Sequence, residues 1–255
     1  MTTLLTGLQA ATLTITLNRP ERANAFNFEM ITELQAALNR AAEDAGIRCV
    51  VLTGTGNSFC AGHDITEMLA AQGQEVSYRE HLQQTYNPLI LQIRQLEKPV
   101  IAAVNGPVAG AGLGVALACD MRITVETATF TVGFSGIGLV PDSAVSLLLP
   151  ALIGLGRATE YAFNNQPINA IQALKWGMVN QVVPEDDLMR AAGKLAAGLV
   201  AGPVGAYGLT KRLFNKSMLP NLEEVLEFEG ELQEVASKGE EHRQGVKVFL
   251  EKHQK

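Results

Sequence analysis

The first two thirds of the chain alternate short apolar runs with segments of helical periodicity. Residues 12–17 alternate polar and apolar positions and end at the turn signal Asn18-Arg19-Pro20, which predicts a strand. Residues 28–42 carry apolar residues at helical spacing after Asn27, a suitable N-cap. The pattern also predicts strands over 49–53, 99–104, 120–125 and 128–132, and a helix over 86–96. Since strands that alternate with helices need crossover connections, we expect an α/β fold with a largely parallel sheet.

The last third of the chain is helical in pattern. Prolines punctuate it after residue 143, residues 222–236 combine many glutamates with an apolar stripe, and residues 241–253 form a short charged segment. The sequence contains no low-complexity linker and no internal repeat. We therefore predict an α/β core over residues 1–195 and a helical region over residues 196–255.

Composition narrows the class of protein. A chain of 255 residues with 47% hydrophobic residues is long enough for one large domain, and its net charge of −6 argues against nucleic acid as a partner. No apolar run reaches the roughly 18 residues of a membrane helix, and the N-terminus lacks a signal-peptide pattern. Three cysteines without CxxC spacing favour a reducing, cytoplasmic location, and four scattered histidines predict no metal site.

Two loops rich in small residues follow two of the predicted strands. They have the sequences SFCAGHDI over 58–65 and NGPVAGAGLG over 105–114. Ligands bind at this edge of a parallel sheet, and small residues let them approach the backbone. One N–H group from each loop and the helix behind the second loop would suit an oxyanion. The alternative is that the glycines serve only tight turns and packing.

Together with NRP at 18–20, IGLVPD at 137–142 and GMV at 177–179, these loops resemble the crotonase (enoyl-CoA hydratase/isomerase) superfamily. The similarity runs from about residue 12 to the C-terminus. The resemblance implies a spiral of ββα units with a helical trimerisation region, hence a homotrimer or a dimer of trimers. It also implies a CoA thioester as substrate, of which coenzyme A is a part, so that no separate cofactor is expected.

The resemblance assigns residues to two parts of the site. The main-chain N–H groups of His63 and Ala111 fall at the oxyanion hole, where the family usually has glycine at the second position. The side chain of His63 is expected to be incidental, with a catalytic imidazole as the alternative. Six residues fall along the path of coenzyme A: Arg22, Ala23, Ala25, Ala61, Asp64 and Ile65.

The carboxylates indicate which reaction to expect. Hydratases of this superfamily use two glutamates, and their positions are held here by Gly114 and Phe134, which transfer no protons. Asp142 lies where the family's isomerases place a single acid, and the chain looks closest to the 1,2-epoxyphenylacetyl-CoA and 3-enoyl/2-enoyl-CoA isomerases. An acyl-CoA isomerase of fatty acid or phenylacetate metabolism is the resulting prediction. A pocket without the two glutamates is apolar and would raise the pKa of Asp142.

Other interpretations remain open. Asp142 precedes a predicted helix and is also a plausible N-cap, in which case its pKa would be lowered. A hydratase using another acid such as Glu67 and a CoA-ester-binding module without activity are alternatives. A nicotinamide or flavin enzyme fits poorly, because the glycine run over 110–114 lacks the G-x-G-x-x-G spacing. Candidates for the acyl pocket are Leu69, Tyr86, Ile90, Phe134 and Leu139.

Overall fold

A computed structural model describes residues 2–70 and 77–253 of the protein. The strands in this part are β1 (Leu4–Gln9), β2 (Thr12–Leu17), β3 (Cys49–Gly54), β4 (Val100–Val104), β5 (Val108–Ala109), β6 (Met121–Val125), β7 (Thr129–Thr131), β8 (Ile168–Asn169) and β9 (Gln181–Val183). The helices are α1 (Phe28–Glu43), α2 (Ile65–Ala70), α3 (Tyr78–Gln84), α4 (Tyr86–Gln95), α5 (Gly110–Ala118), α6 (Val145–Ile153), α7 (Leu155–Asn164), α8 (Ala170–Lys175), α9 (Leu188–Ala201), α10 (Val204–Met218), α11 (Leu222–Ser237) and α12 (Glu240–His253). Three short 3-10 helices cover Pro20–Arg22, Ser135–Ile137 and Glu185–Asp187.

Two sheets form the centre of the fold. The larger has the strand order β1-β2-β3-β4-β6-β9, and the smaller has the order β5-β7-β8. In the larger sheet only β1 and β2 are antiparallel, and every other neighbouring pair is parallel. The prediction of a largely parallel sheet is confirmed. All five residues of β4 are buried, as expected for a strand covered on both faces.

The predicted elements agree closely with the structure where the pattern was strong. Strand β2 has the predicted bounds, and the side chain of Asn27 accepts a hydrogen bond from Met30 N at 2.9 Å, which makes it the N-cap of α1. Strand β1 and helix α3 were not predicted. Only Leu4 of β1 and Leu82 of α3 are buried, so neither element has the apolar periodicity on which such a prediction depends.

The C-terminal helices fold back onto the core near the segment that precedes α6. Helix α11 packs against α3, α4 and α6, and α12 packs against the 3-10 helix Ser135–Ile137. His242 of α12 connects α3 to the 3-10 helix Ser135–Ile137. Its ring forms hydrogen bonds with Tyr78 Oη at 2.8 Å and with Ile137 O at 2.7 Å. The segment before α6 is thus enclosed by helices from the end of the chain.

Candidate functional site

The two glycine-containing loops lie side by side at the ends of β3 and β4. Phe59 N donates to Pro107 O at 3.0 Å, and Ala109 N donates to Cys60 O at 3.0 Å. Cys60 and Val108 also form a parallel bridge. These backbone bonds fix the position of one loop relative to the other.

Gly62 is one of the positions at which the two loops come close together. A Cβ atom at Gly62 would lie 3.0 Å from Ala109 O and 3.5 Å from Ala111 N, and its φ of +96° favours glycine. His63, the next residue, therefore lies beside the first turn of α5. The structure thus places the backbone around His63 close to Ala111 N, and their shared role at an oxyanion stays a prediction.

The main-chain N–H groups of His63 and Ala111 are both available to a ligand. Phe26 bonds the residues on either side of His63, since Phe26 N donates to Gly62 O at 2.7 Å and Asp64 N donates to Phe26 O at 2.8 Å. In this parallel arrangement the N–H of His63 itself points away from Phe26. Ala111 is the second residue of α5, where N–H groups have no intrahelical acceptor. Within residues 2–70 and 77–253 neither N–H has an acceptor, and Ala111 lies at the positive end of α5.

The His63 side chain belongs to a cluster of three rings. Its ring centroid lies 4.8 Å from that of His81 and 6.0 Å from that of Tyr86, and His63 Nδ1 is 2.8 Å from Tyr86 Oη. Burial and, to a smaller extent, the charge of His81 lower the pKa of His63 to about 3, although the charge of Asp64 opposes this shift. His63 is therefore neutral at physiological pH. This imidazole is a poor general base for that reason.

Asp142 is a buried carboxylate with two hydrogen-bond donors. Ser143 Oγ donates to its Oδ1 at 2.7 Å, and Gln233 Nε2 of α11 donates to its Oδ2 at 2.6 Å. Burial raises the pKa of Asp142 to about 6, although these two hydrogen bonds oppose the rise. The expected direction of this shift is confirmed. An acid with such a pKa is able to accept and return a proton near neutral pH.

The alternative that Asp142 caps a helix through its side chain is wrong. Helix α6 begins at Val145, and the N-cap residue is Ala144, which has no side-chain cap. The carboxylate that fills this role is Glu229 of α11, which accepts from Ala144 N at 2.9 Å and from Ser146 N at 3.2 Å, and also from Ser146 Oγ. Burial raises the pKa of Glu229 to about 7, against the effect of those hydrogen bonds.

Glu229 and Gln233 were not identified from the sequence. With Leu222 and Leu226 they form the buried stripe of α11. Two polar residues on an apolar stripe are the signal that was available, because buried polar side chains require partners. Only the structure shows that their partners belong to the segment around Asp142.

Gly114 lies against the same segment. A Cβ atom at Gly114 would come within 2.4 Å of Ser143 O and 2.7 Å of Ser143 Cβ. Phe134, at the second hydratase position, is a buried core residue. The carboxylate of Glu67 accepts a hydrogen bond from Phe28 N, 3.0 Å away, at the start of α1. Neither hydratase position therefore holds an acid, and Glu67 is engaged in a structural contact.

Contacts link some of the predicted coenzyme A residues to one another. Ala61 N donates to Ala23 O at 3.0 Å, which joins the segment around residues 22–25 to the first loop. Asp64 forms an ion pair with Arg19 at 2.9 Å. Burial would raise the pKa of Asp64, but hydrogen bonds from Thr66 and Arg19 and the charge of Arg19 lower it. The remaining predicted members are an exposed Arg22, a buried Ala25 and a partly exposed Ile65.

The acyl-pocket candidates differ in burial. Tyr86, Ile90 and Phe134 are buried, and Leu139 is partly buried against the core. The side chain of Leu69 lies outside the described residues. Burial raises the pKa of Tyr86 well above its ordinary value, and the charges of Cys60, Asp142, Glu67 and Asp64 contribute. Asp142 is therefore close enough to the ring cluster for its charge to act on Tyr86.

Other chemistries have little support in the part of the chain that the structure describes. No group of three metal-binding side chains occurs there, and no helix in it has the length and apolar character to cross a membrane. All three cysteines are buried, and burial raises the pKa of each thiol to about 12. Such thiols are not reactive nucleophiles at neutral pH.

The chain was compared with known families and proteins. The pattern of the family described as enoyl-CoA hydratase/isomerase matches residues 7–255. The chain is 38% identical over 250 residues to the 1,2-epoxyphenylacetyl-CoA isomerase of Escherichia coli (strain K12), which covers 98% of this chain and 95% of that protein. It is 34% identical to the short-chain-enoyl-CoA hydratase of Clostridium acetobutylicum, over 93% of this chain and 90% of that protein.

Solved structures show the same architecture. An enoyl-CoA hydratase from Mycobacterium avium subsp. paratuberculosis K-10 superposes with a TM-score of 0.89 at 32% identity, over 98% of this chain and 96% of that one. The expected crotonase-like fold is confirmed. The relatives include both isomerases and hydratases, so their names do not decide between the two reactions.

Proposed function

Since the chain belongs to the enoyl-CoA hydratase/isomerase family, we propose that it is an acyl-CoA thioester isomerase in which one aspartate moves the proton. The observation that carries this proposal is the buried Asp142, because the other buried carboxylate beside it, Glu229, accepts hydrogen bonds from the N-terminus of α6. Asp142 has a pKa raised to about 6 by burial, while Gly114 and Phe134 occupy the two positions at which a hydratase would carry glutamates. One acid suffices for isomerisation, whereas hydration requires a group that also holds and activates water.

The proposed reaction begins with the thioester carbonyl oxygen between the N–H groups of His63 and Ala111. Asp142 takes a proton from one carbon of the acyl group, and the electron pair of that C–H bond moves through the C–C bond to the carbonyl oxygen. The two N–H groups stabilise the resulting enolate oxygen more strongly than the ground-state carbonyl. For a 3-enoyl thioester deprotonated at C2, the carbonyl then re-forms, the enolate double-bond pair becomes the C2–C3 double bond, and the former C3–C4 double-bond pair takes the proton from Asp142 at C4. The double bond has then moved without gain or loss of atoms.

The coenzyme A moiety is proposed to follow the edge formed by Arg22, Ala23, Ala25, Ala61, Asp64 and Ile65. The bond between Ala61 N and Ala23 O and the ion pair between Asp64 and Arg19 support this placement, because they make the edge a firm surface that leads to the two N–H groups. The proposed reaction needs no further cofactor, since coenzyme A enters as part of the substrate.

A hydratase is the second candidate, because a similar protein is named a short-chain-enoyl-CoA hydratase. The two reactions differ in the mass of the product. The test is incubation with 2-enoyl-, 3-enoyl- and ring-epoxide CoA thioesters, followed by chromatography and mass spectrometry. An isomer of unchanged mass supports the proposal, and a product heavier by one water indicates hydration. Tight binding without conversion of any of the three thioesters would indicate a binding module.

A further inference from the structure

The ring cluster beside Asp142 contains two buried polar atoms without a partner. Among the described residues, His63 Nε2 and His81 Nε2 are both shielded from solvent and form no hydrogen bond. Their rings are in edge contact, with centroids 4.8 Å apart. Buried polar atoms are nearly always paired, and an unpaired one destabilises the fold. Two such atoms side by side mark a place where a bound polar group would find hydrogen-bond partners.

The hydrogen-bond pattern indicates which atom of His63 carries the proton. Tyr86 is buried, its raised pKa keeps its hydroxyl protonated, and within residues 2–70 and 77–253 His63 Nδ1 is the partner recorded for that hydroxyl. Because a buried hydroxyl needs an acceptor, Tyr86 donates to Nδ1. His63 is neutral, so its one ring proton is then on Nε2. His63 Nε2–H is therefore a donor that lacks an acceptor.

The position of His63 indicates where that acceptor comes from. The main chain of the same residue supplies one of the two N–H groups for the thioester oxygen, and the residue is only partly buried. The charge of Asp142 acts on Tyr86, the partner of His63 Nδ1. The unpaired donor thus lies one side chain away from the proposed thioester position and near the proposed acid, which is where the acyl group would lie.

We propose that His63 and His81 determine substrate specificity by binding an acceptor oxygen of the acyl group, such as an ether, epoxide or carbonyl oxygen. This inference rests on the proposed function for the placement of the thioester. His63 Nε2–H donates to that oxygen, and His81 contributes the second polar wall of the subsite. An acyl group of carbon and hydrogen alone would leave both nitrogen atoms unpaired, which disfavours its binding.

The test compares unreactive ligands that differ by one atom. The reference ligand is cyclohexylacetyl-CoA. It is compared with each of the tetrahydropyranylacetyl-CoA thioesters, in which oxygen replaces one ring methylene at each position in turn. Calorimetry should show that wild-type protein binds at least one oxygen-containing ligand about tenfold more tightly than the carbocyclic one, a typical effect of satisfying a buried donor. Equal affinities, or a preference for the carbocycle throughout, would overturn the proposal. Because no turnover is measured, failure of the isomerase proposal leaves this result interpretable.

Two variants assign the preference to the cluster. His63→Phe keeps the main-chain N–H and should abolish or reverse the preference, as should Tyr86→Phe, which removes the hydroxyl that fixes the tautomer. Tyr78→Phe is the matched control, because Tyr78 forms a similar 2.8 Å bond to His242 outside the cluster. It should keep the wild-type ratio of affinities. If His63→Phe and Tyr78→Phe both bind the carbocycle normally and both retain the preference, the ring cluster does not determine specificity.

Discussion

The carboxamide of Gln233 and the carboxylate of Asp142 meet at 2.6 Å, although 91 residues separate them in the chain. The orientation of the amide is fixed, because Gln233 Oε1 accepts a hydrogen bond from Val140 N at 3.1 Å and the NH₂ group must then face Asp142. Helix α11 thereby holds the proposed acid by a donor that favours its anionic form. The C-terminal helical region contributes to the environment of the acid as well as to the fold.

Replacing Gln233 with leucine should raise the pKa of Asp142. The hydrogen bond from Gln233 opposes the effect of burial, so its loss lets the pKa rise above about 6. The base form of Asp142 would then be reached only at higher pH, and the acidic limb of the profile of kcat/KM against pH should move to higher pH. Gln244→Leu is the control, because Gln244 bonds an exposed glutamate on α12. Superimposable profiles for wild type and Gln233→Leu would show that Gln233 does not tune the acid.

Asp142→Asn should abolish isomerisation and preserve binding of the thioester. The oxyanion-binding N–H groups stabilise an enolate but do not form one, and loss of a general base typically costs about 10²- to 10⁴-fold in rate. Asparagine should fit the same place, because its side-chain oxygen accepts the hydrogen bond from Gln233. Its NH₂ group donates to Ser143 Oγ, so that this hydroxyl becomes an acceptor where it was a donor to Asp142. The measurement is kcat together with the Kd of a substrate analogue. Near-normal turnover by this variant would remove Asp142 from the mechanism.

The same variant should be more stable than wild type at neutral pH. The folded pKa of Asp142, about 6, exceeds its ordinary value of 3.8, so the folded protein binds this proton more tightly than the unfolded chain. The free energy of unfolding of the wild type therefore falls as pH rises from about 4 to about 6. Above that range Asp142 is ionised in both states, and the full destabilisation from its buried charge is present. Asparagine carries no charge, and a gain on the order of 2–3 kcal/mol is expected at pH 7–8.

Denaturant unfolding of wild type and Asp142→Asn between pH 4.5 and pH 8 checks this expectation. The difference in the free energy of unfolding should shrink as pH falls, because protonated aspartate and asparagine are both neutral. Glu126→Gln, at an exposed position, is the control for removal of a negative charge. A difference that stays constant over this pH range would mean that the charge of Asp142 is not its cause.

What could be predicted from the sequence depended on how local the signal was. Strand β2 and helix α1 carry strong periodicity within a single segment, and their bounds were predicted to within a residue. The sequence left open whether Asp142 caps α6, because the residue at which this helix begins depends on the backbone angles before it. Ser143 and Ala144 have φ angles of 55° and 64°, which delays the helix to Val145. The contacts of Gln233 depend on how α11 packs against a distant segment, which no local pattern specifies.

Exposed apolar side chains on the C-terminal helices predict self-association. They are Leu209, Leu213, Phe214 and Met218 on α10 and Phe228, Leu232 and Val235 on α11. Exposed apolar patches of this kind mark contact surfaces, and the family resemblance implies that the assembly is a homotrimer or a dimer of trimers. Light scattering at micromolar concentration should give a mass at least three times that of the 27.3 kDa protomer. A monomer under these conditions would contradict the expectation.

Replacing Gly114 with glutamate should not create a hydratase. The resemblance places a hydratase glutamate at this position, but even a Cβ atom there would lie 2.4 Å from Ser143 O, a contact that only a backbone shift relieves. Ser143 is the neighbour of Asp142 and donates to it, so this shift would displace the proposed acid. We expect Gly114→Ala to cost about 1–3 kcal/mol in stability, as for overpacked cores, and to lower kcat.

Gly193 provides the matched control for these glycine substitutions. It lies within α9, and a Cβ atom there would meet no atom within 4 Å, so Gly193→Ala should stabilise the protein by about 0.5–1 kcal/mol through helix propensity. Thermal unfolding and the product assay should therefore separate the two sites. Water addition by Gly114→Glu would show that the site accommodates a second carboxylate. Loss of isomerisation without hydration would show instead that glycine is required here because the backbone carrying Asp142 occupies the space of the hydratase acid.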